Sequence, residues 1–352
     1  MSKKFFYFLT GITLATGMIS AQAQNATVAT IPQGMITYNL PEGTTSVVGL
    51  PLTNDVEFTS TVTAVTANTI SVGGSSAPFT SNLATTGAPY FVKFLSGSEM
   101  GRVILITSNT NSTLTLDTTD NSSQTVSLTT SGFSVAVGDV FEIFTGDTLA
   151  SIFGANTSQS PLVLVGSKSV YTADTVGVYS PIQDRFQAYF FNTSAGYWER
   201  SGSTANANNT ILYPYCSLTV LRRASSTAST LVLSGRVAEV PVLTKTTGNN
   251  SVVYASTGYA TDMTLSDLQF GSNWITSTSA AKADTISVWN PTVYHFEAYY
   301  QMPDSTWRLS NNASTDQSGL VLAAGGSISI VQRANVSGAS SFLQTPMPYS
   351  LN

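Results

Sequence analysis

Apolar and polar residues alternate with a period of two along most of this chain. FTSTVTAVTANTISV from Phe58, PYFVKFL from Pro89, GRVILITSNTNSTLTLD from Gly101 and GFSVAVGDVFEIF from Gly132 all set Val, Ile, Leu or Phe against Thr, Ser and Asn. This period predicts half-buried antiparallel strands, and the Asn, Gly and Ser clusters between them predict turns. GMITYNLPEGTTSVVGLP, from Gly34, reads as two strands about a Pro-Glu-Gly turn. Only two stretches read as helix, both short. GDTLASIFG offers Asp147 as a cap and Gly154 as the stop, and TLSDLQFG offers Thr264 and Gly271.

A long stretch of this pattern occurs twice. DTVGVYSPIQDRFQAYFFNTSAGYWERSG from Asp174 returns as DTISVWNPTVYHFEAYYQMPDSTWRLSN from Asp284, and SLTVLRRA returns as SISIVQRA. Asp174/Asp284, Pro181/Pro291, Phe186/Phe296 and Arg223/Arg333 share an offset of 110 (284 − 174). Repeats in a solenoid run about 20 to 50 residues, so a unit this long is a domain. The expected organisation is all-β, with a small barrel or sandwich over 55–145 and β-sandwich-like duplicated units over 146–245 and 246–352. A leading hairpin over 24–54 resembles the closing hairpins of both units in layout, and is expected to pair with them.

The aromatic hairpin is the most patterned part of the repeat. Period two puts Phe186, Ala188 and Phe190 on one face and Gln187, Tyr189 and Phe191 on the other, and the second copy repeats the scheme. Trp198 and Trp307 lie on the returning strands. Two readings stand side by side: cross-strand core packing, or a stacking platform for sugar rings built from Tyr189, Trp198, Tyr299 and Trp307.

The amino terminus changes the picture of where the chain works. Lys3 and Lys4, the run FFYFLTGITLATGMIS and Ala21-Gln22-Ala23 match the parts of a secretory signal over 1–23. The run is interrupted by Thr10, Gly11 and Thr13 and is short for a membrane span, so no transmembrane segment is expected in the mature chain. Charged residues are 9% of the chain and the net charge is −5, without the clustered Lys/Arg footprint of a nucleic-acid binder. The pair Arg222-Arg223 reads as a strand end meeting solvent. Cys216 is the single cysteine, so no internal disulfide is expected. Alternation places it on the face of Leu218 and Val220, as a buried small residue rather than a reactive thiol.

Candidate chemistry is sparse. The one histidine, His295, is matched by Arg185 in the first copy and reads as a strand-edge residue rather than a triad member. No His/Cys cluster suggests zinc, iron or copper, no glycine loop suggests a nucleotide, and no cofactor is expected. Glu199, Asp184, Glu297 and Asp304 are the acids a glycosidase would need in pairs, although solvated strand and turn positions explain all four. TNDVE, DTTDN and the repeated Asp-Thr could offer oxygens to calcium but lack the spacing of a calcium loop.

GMITYNLPEG, VTAVTANTISV, PYFVKFLSGSEMGRVILITSNTNSTLTLD, GDVFEIFTGDTLASIFG and the tryptophan-containing hairpin, in that order, resemble an uncharacterised paralogous family of exported β-rich proteins from Verrucomicrobia-type bacteria. The resemblance implies export from a Gram-negative cell, to the periplasm, cell surface or exterior, and no catalytic residue. The expected role is a non-enzymatic structural protein of the surface or matrix, partnered by itself or by surface polysaccharide. Self-association would use a strand donated from Asn25 to Ile36. The alternative is a carbohydrate-binding module, and a third is a glycoside hydrolase.

Overall fold

The alternating stretches form strands, except that residues 134–139, the leading part of the stretch from Gly132, are loop and turn, with the strand beginning only at Val140. The computed structural model describes residues 32–349, apart from 74–78, 80–82, 86–87, 120–126, 131–133, 181, 225–227, 247–251 and 334–340. The signal-like residues 1–23, Pro181 and part of DTTDN lie outside the described residues.

The chain opens with β1 (Gln33–Leu40) and β2 (Thr45–Gly49). It then enters a closed barrel of β3 (Val56–Val65), β4 (Thr69–Val72), β5 (Tyr90–Phe94), β6 (Val103–Asn109), β7 (Thr113–Leu116) and β8 (Val140–Thr145), ordered β3-β4-β7-β6-β5-β8. Closure leaves the barrel no free sheet edge. Val62, Ile70, Phe94, Ile104, Leu114 and Phe141 fill its interior, as alternation requires.

The first copy continues with β9 (Asp147–Thr148), helix α1 (Leu149–Phe153), β10 (Thr175–Ser180), β11 (Arg185–Asn192), β12 (Tyr197–Arg200), β13 (Ile211–Leu212), β14 (Ser217–Leu221) and β15 (Ser229–Arg236). Thr148 caps α1, one residue later than expected: its hydroxyl accepts from Ser151 N, and Ser151 Oγ accepts from Thr148 N. The second copy comprises β16 (Val242–Thr246), β17 (Val252–Ser256), β18 (Met263–Thr264), β19 (Gln269–Phe270), β20 (Thr285–Asn290), β21 (His295–Gln301), β22 (Trp307–Leu309), β23 (Val321–Leu322), β24 (Ser327–Val331) and β25 (Ser341–Thr345). The expected helix after Thr264 is a single 3-10 turn, Leu265–Asp267.

Strand pairing shows how the copies correspond. β10 and β20 are each central in a five-stranded sheet, ordered β12-β11-β10-β14-β2 and β17-β24-β20-β21-β22. β2 flanks β14 as β17 flanks β24, and β1 pairs with β15 as β16 pairs with β25. The leading hairpin is therefore the first copy's counterpart of β16–β17, and the barrel interrupts that copy between β2 and β9. A division at 245/246 would cut through β16, which belongs to the second copy's pairing.

Each copy buries a core between its five-stranded sheet and a smaller layer. In the first, Ile36, Leu40, Leu231 and Leu233 pack on Val48, Val176, Leu218, Val220 and Trp198. In the second, Val242 and Leu343 pack with Val253, Ile286, Ile328, Ile330 and Trp307.

Candidate functional site

The aspartates shared by both copies are buried. The Asp174 carboxylate accepts from Val165 N and Arg223 N, each at 2.8 Å; Asp284 repeats this with Ile275 N and Arg333 N, each at 2.7 Å. Arg223 donates to the carbonyls of Ala173 (2.9 Å) and Val170 (2.7 Å), and Arg333 to those of Ala283 (3.2 Å) and Ala280 (3.5 Å). Each Asp/Arg pair thus sews the loop before the central strand to the end of the strand beside it. These oxygens are engaged by backbone N–H groups and lie in the interior. Arg222 does not meet solvent as expected: it is 1% exposed, and its Nε lies 2.8 Å from Asp174 Oδ2. Burial demanded a counter-charge, and the duplicated aspartate supplies it.

The four residues read either as core packing or as a sugar platform are placed on the core face. Trp198 and Trp307 have no exposed surface, Tyr299 is buried, and Tyr189 is half-buried against the first core. Trp198 Nε1 donates to Gly154 O at 2.7 Å. The register gives the reason: Tyr189 lies opposite Val176, and Tyr299 opposite Ile286, both fully buried. Trp198, Trp307 and Tyr299 therefore offer almost no open surface to a ligand.

The opposite face carries the half-exposed aromatics. Tyr179 pairs with Phe186 across β10–β11, and Trp289 with Phe296 across β20–β21, at ring separations of 5.5 and 5.3 Å. Tyr254 on β17 bridges them, 4.7 Å from both Tyr179 and Phe186 and 5.9 Å from Phe296. A seam of five rings therefore joins the two copies. Gly177, Ala188, Ser287 and Ala298 are the small residues on this face, paired across the strands beside the seam.

Beside the seam, β1, β2 and their turn face β20 and β24 across a groove of about 700 Å³. Its lining includes Tyr38, Thr45, Ser46, Trp289, Tyr294 and Val321, and no Asp, Glu, Lys or Arg. Tyr38 fixes the floor, since its hydroxyl donates to Gly49 O at 2.8 Å and lies 3.1 Å from Gly325 O in the second copy. Burial pushes that phenol well above its ordinary range, which keeps it a donor. Gly325 has φ +60°, and a Cβ there would strike the Tyr38 hydroxyl, so glycine is required where the copies approach.

The remaining candidates stand apart from the groove. His295 is exposed, with Nδ1 3.2 Å from the carbonyl of Val293 in its own turn. Glu199 is buried and accepts from Asn192 Nδ2 at 3.0 Å, and Glu297 accepts from Asn290 Nδ2 at 3.0 Å. Asp184 accepts from the Tyr179 hydroxyl, and Asp304 caps its own turn through Thr306. Among the described residues, no three His, Cys, Asp or Glu side chains are grouped to hold a metal ion, and no helix is long and apolar enough to cross a membrane. Compared with protein-family models, with curated proteins and with solved structures, the chain finds no match in any of the three.

Proposed function

We propose that this is an exported, non-enzymatic protein of the cell surface or matrix that works through contacts rather than catalysis. One observation carries this reading: the acids and arginines kept in both copies are used to close loops, as the Asp174–Arg223 and Asp284–Arg333 bonds do. A duplicated catalytic unit would instead keep a polar cluster facing a cleft. The signal-like residues 1–23 supply the route out of the cell.

Self-association is the mode we favour, on the outer face of the β1–β15 layer. Met35 and Val232 are 70% and 54% exposed there, interleaved with Thr37 and Ser234 across the pairing. Strand donation from Asn25 to Ile36 needs revision: Gln33 to Ile36 already pair with β15 of the same chain, and residues 25–31 lie outside the described residues. Cell fractionation and light scattering of the purified mature chain test the proposal. Recovery in the surface or matrix fraction, with multimers weakened by Met35→Lys or Val232→Lys, is expected. A strictly monomeric protein absent from both fractions would overturn it.

A further inference from the structure

We propose that the groove between the leading hairpin and the second copy is a binding site for an uncharged oligosaccharide, with Trp289 and Tyr294 as its stacking rings. The lining combines aromatic surface with hydroxyl, amide and carbonyl groups and holds no charged side chain. A pyranose matches this chemistry. Its C–H face packs on the electron-rich face of a ring, while its hydroxyls need donors and acceptors around the rim. An acidic or basic ligand would enter without a counter-charge, an unfavourable transfer from water. The volume, about 700 Å³, is in the range of small-ligand sites.

Tyr294 gives a second, independent reason. The turn between the hairpin strands requires a residue with positive φ in both copies: Asp184 at 48° in the first and Tyr294 at 55° in the second. Aspartate tolerates that conformation, whereas a bulky aromatic is a genuine outlier there. The second copy therefore carries backbone strain for a side chain that is 55% exposed and lines the groove. Strain of this sort, kept where a relaxed residue is available in the duplicate, points to a role for the ring. Trp289 occupies the position of Tyr179 in the first copy: Tyr179 packs on Phe186 and Tyr254, whereas Trp289 packs edge-on against Phe296 at the end of the seam and also lines the groove. The leading hairpin supplies the facing wall of this groove.

Titration of the mature protein with cellohexaose and maltohexaose, followed by tryptophan fluorescence and calorimetry, tests the site. Saturable binding of at least one is expected, with polygalacturonate binding more weakly. Tyr294→Asp installs the residue that the first copy already accepts in this turn, so it should fold at least as stably while weakening binding by about three- to tenfold. Trp289→Ala should weaken binding by about tenfold or more. No binding of either neutral oligosaccharide, affinity unchanged in a folded Tyr294→Asp variant, or a preference for polygalacturonate would each overturn the proposal. Failure here leaves surface location and self-association intact, because those are read by fractionation and light scattering.

Discussion

Arg236 reaches back 94 residues to donate from Nη1 to Glu142 Oε2 at 3.2 Å, joining the last strand of the first copy to the barrel inserted within it. Both side chains are almost completely buried. Lys93, opposite Glu142 in the barrel wall, lies 3.9 Å from its other oxygen, and Arg236 also meets Glu239 at 3.0 Å. Glu142 thus holds two buried cations at the seam between barrel and sandwich. Replacing it with alanine removes the Lys93 ion pair and leaves Arg236 with Glu239, a change that costs about 3–5 kcal/mol in comparable buried pairs. Urea denaturation of Glu142→Ala should show that loss, and a loss below about 1 kcal/mol would mean that water reaches the network.

The loop-sewing aspartates give a paired prediction. Asp174→Ala and Asp284→Ala each strand two backbone donors, at about 1–3 kcal/mol for each buried group. Asp174→Ala should be the more damaging, since it also removes an ion pair of the buried Arg222. The second copy has Gln332 at that position, accepting from Thr246 Oγ1 at 2.7 Å and carrying no charge. Thermal melts of the two variants side by side would reveal the order; equal losses would show that Arg222 finds other compensation.

Asp284 should also imprint a pH dependence. Burial raises its carboxyl above the ordinary 3.8, opposed by the bonds from Ile275, Arg333 and the Arg333 charge. The folded state then keeps this proton to higher pH than the unfolded chain does. The Asp284 contribution to stability is most favourable below 3.8 and falls as pH rises to the raised folded value, then levels off. Asp284→Asn should be less stable overall but lack this slope, as melts between about pH 3 and pH 7 would show.

Much of the fold was legible in the text of the chain. The period of two and the turn clusters marked the barrel strands, and the offset of Asp174 from Asp284 marked the repeat. The insertion was only partly legible. β1 finds its partner β15 across the whole barrel, and no local pattern records a pairing that distant. The candidate site failed on parity. Alternation says which residues share a face but not which face is buried, so Trp198 and Trp307 were candidates for a platform although both lie in the cores. Tyr294 was hidden because positive φ belongs to the turn, which only the backbone reveals.

Two equivalent tryptophans should respond differently to the same change. Trp198 Nε1 donates to Gly154 O at 2.7 Å, while Trp307 Nε1, also buried, meets no acceptor among the described residues. Trp198→Phe loses ring volume and strands a carbonyl; Trp307→Phe loses volume but relieves an unsatisfied donor. The first should cost about 1–3 kcal/mol more than the second in chemical denaturation. A reversed order would place a water or another acceptor at Trp307.

Cys216 should behave as a packing residue. It is half-buried against the first core, where β14 meets Ala255 of the second copy, and burial pushes its thiol up to about 12. Relative to an ordinary cysteine, the thiolate fraction at neutral pH falls by about a thousandfold, and alkylation slows with it. Iodoacetamide at about pH 8 should therefore label the denatured chain readily and the native chain hardly at all. The second copy places Gly326 at the matching position, so the fold tolerates a smaller residue there. Cys216→Ala should accordingly fold with a loss of about 1 kcal/mol and leave oligomerisation unchanged. Native labelling at the rate of a free thiol, or loss of multimers in Cys216→Ala, would instead assign the sulfur a role between chains.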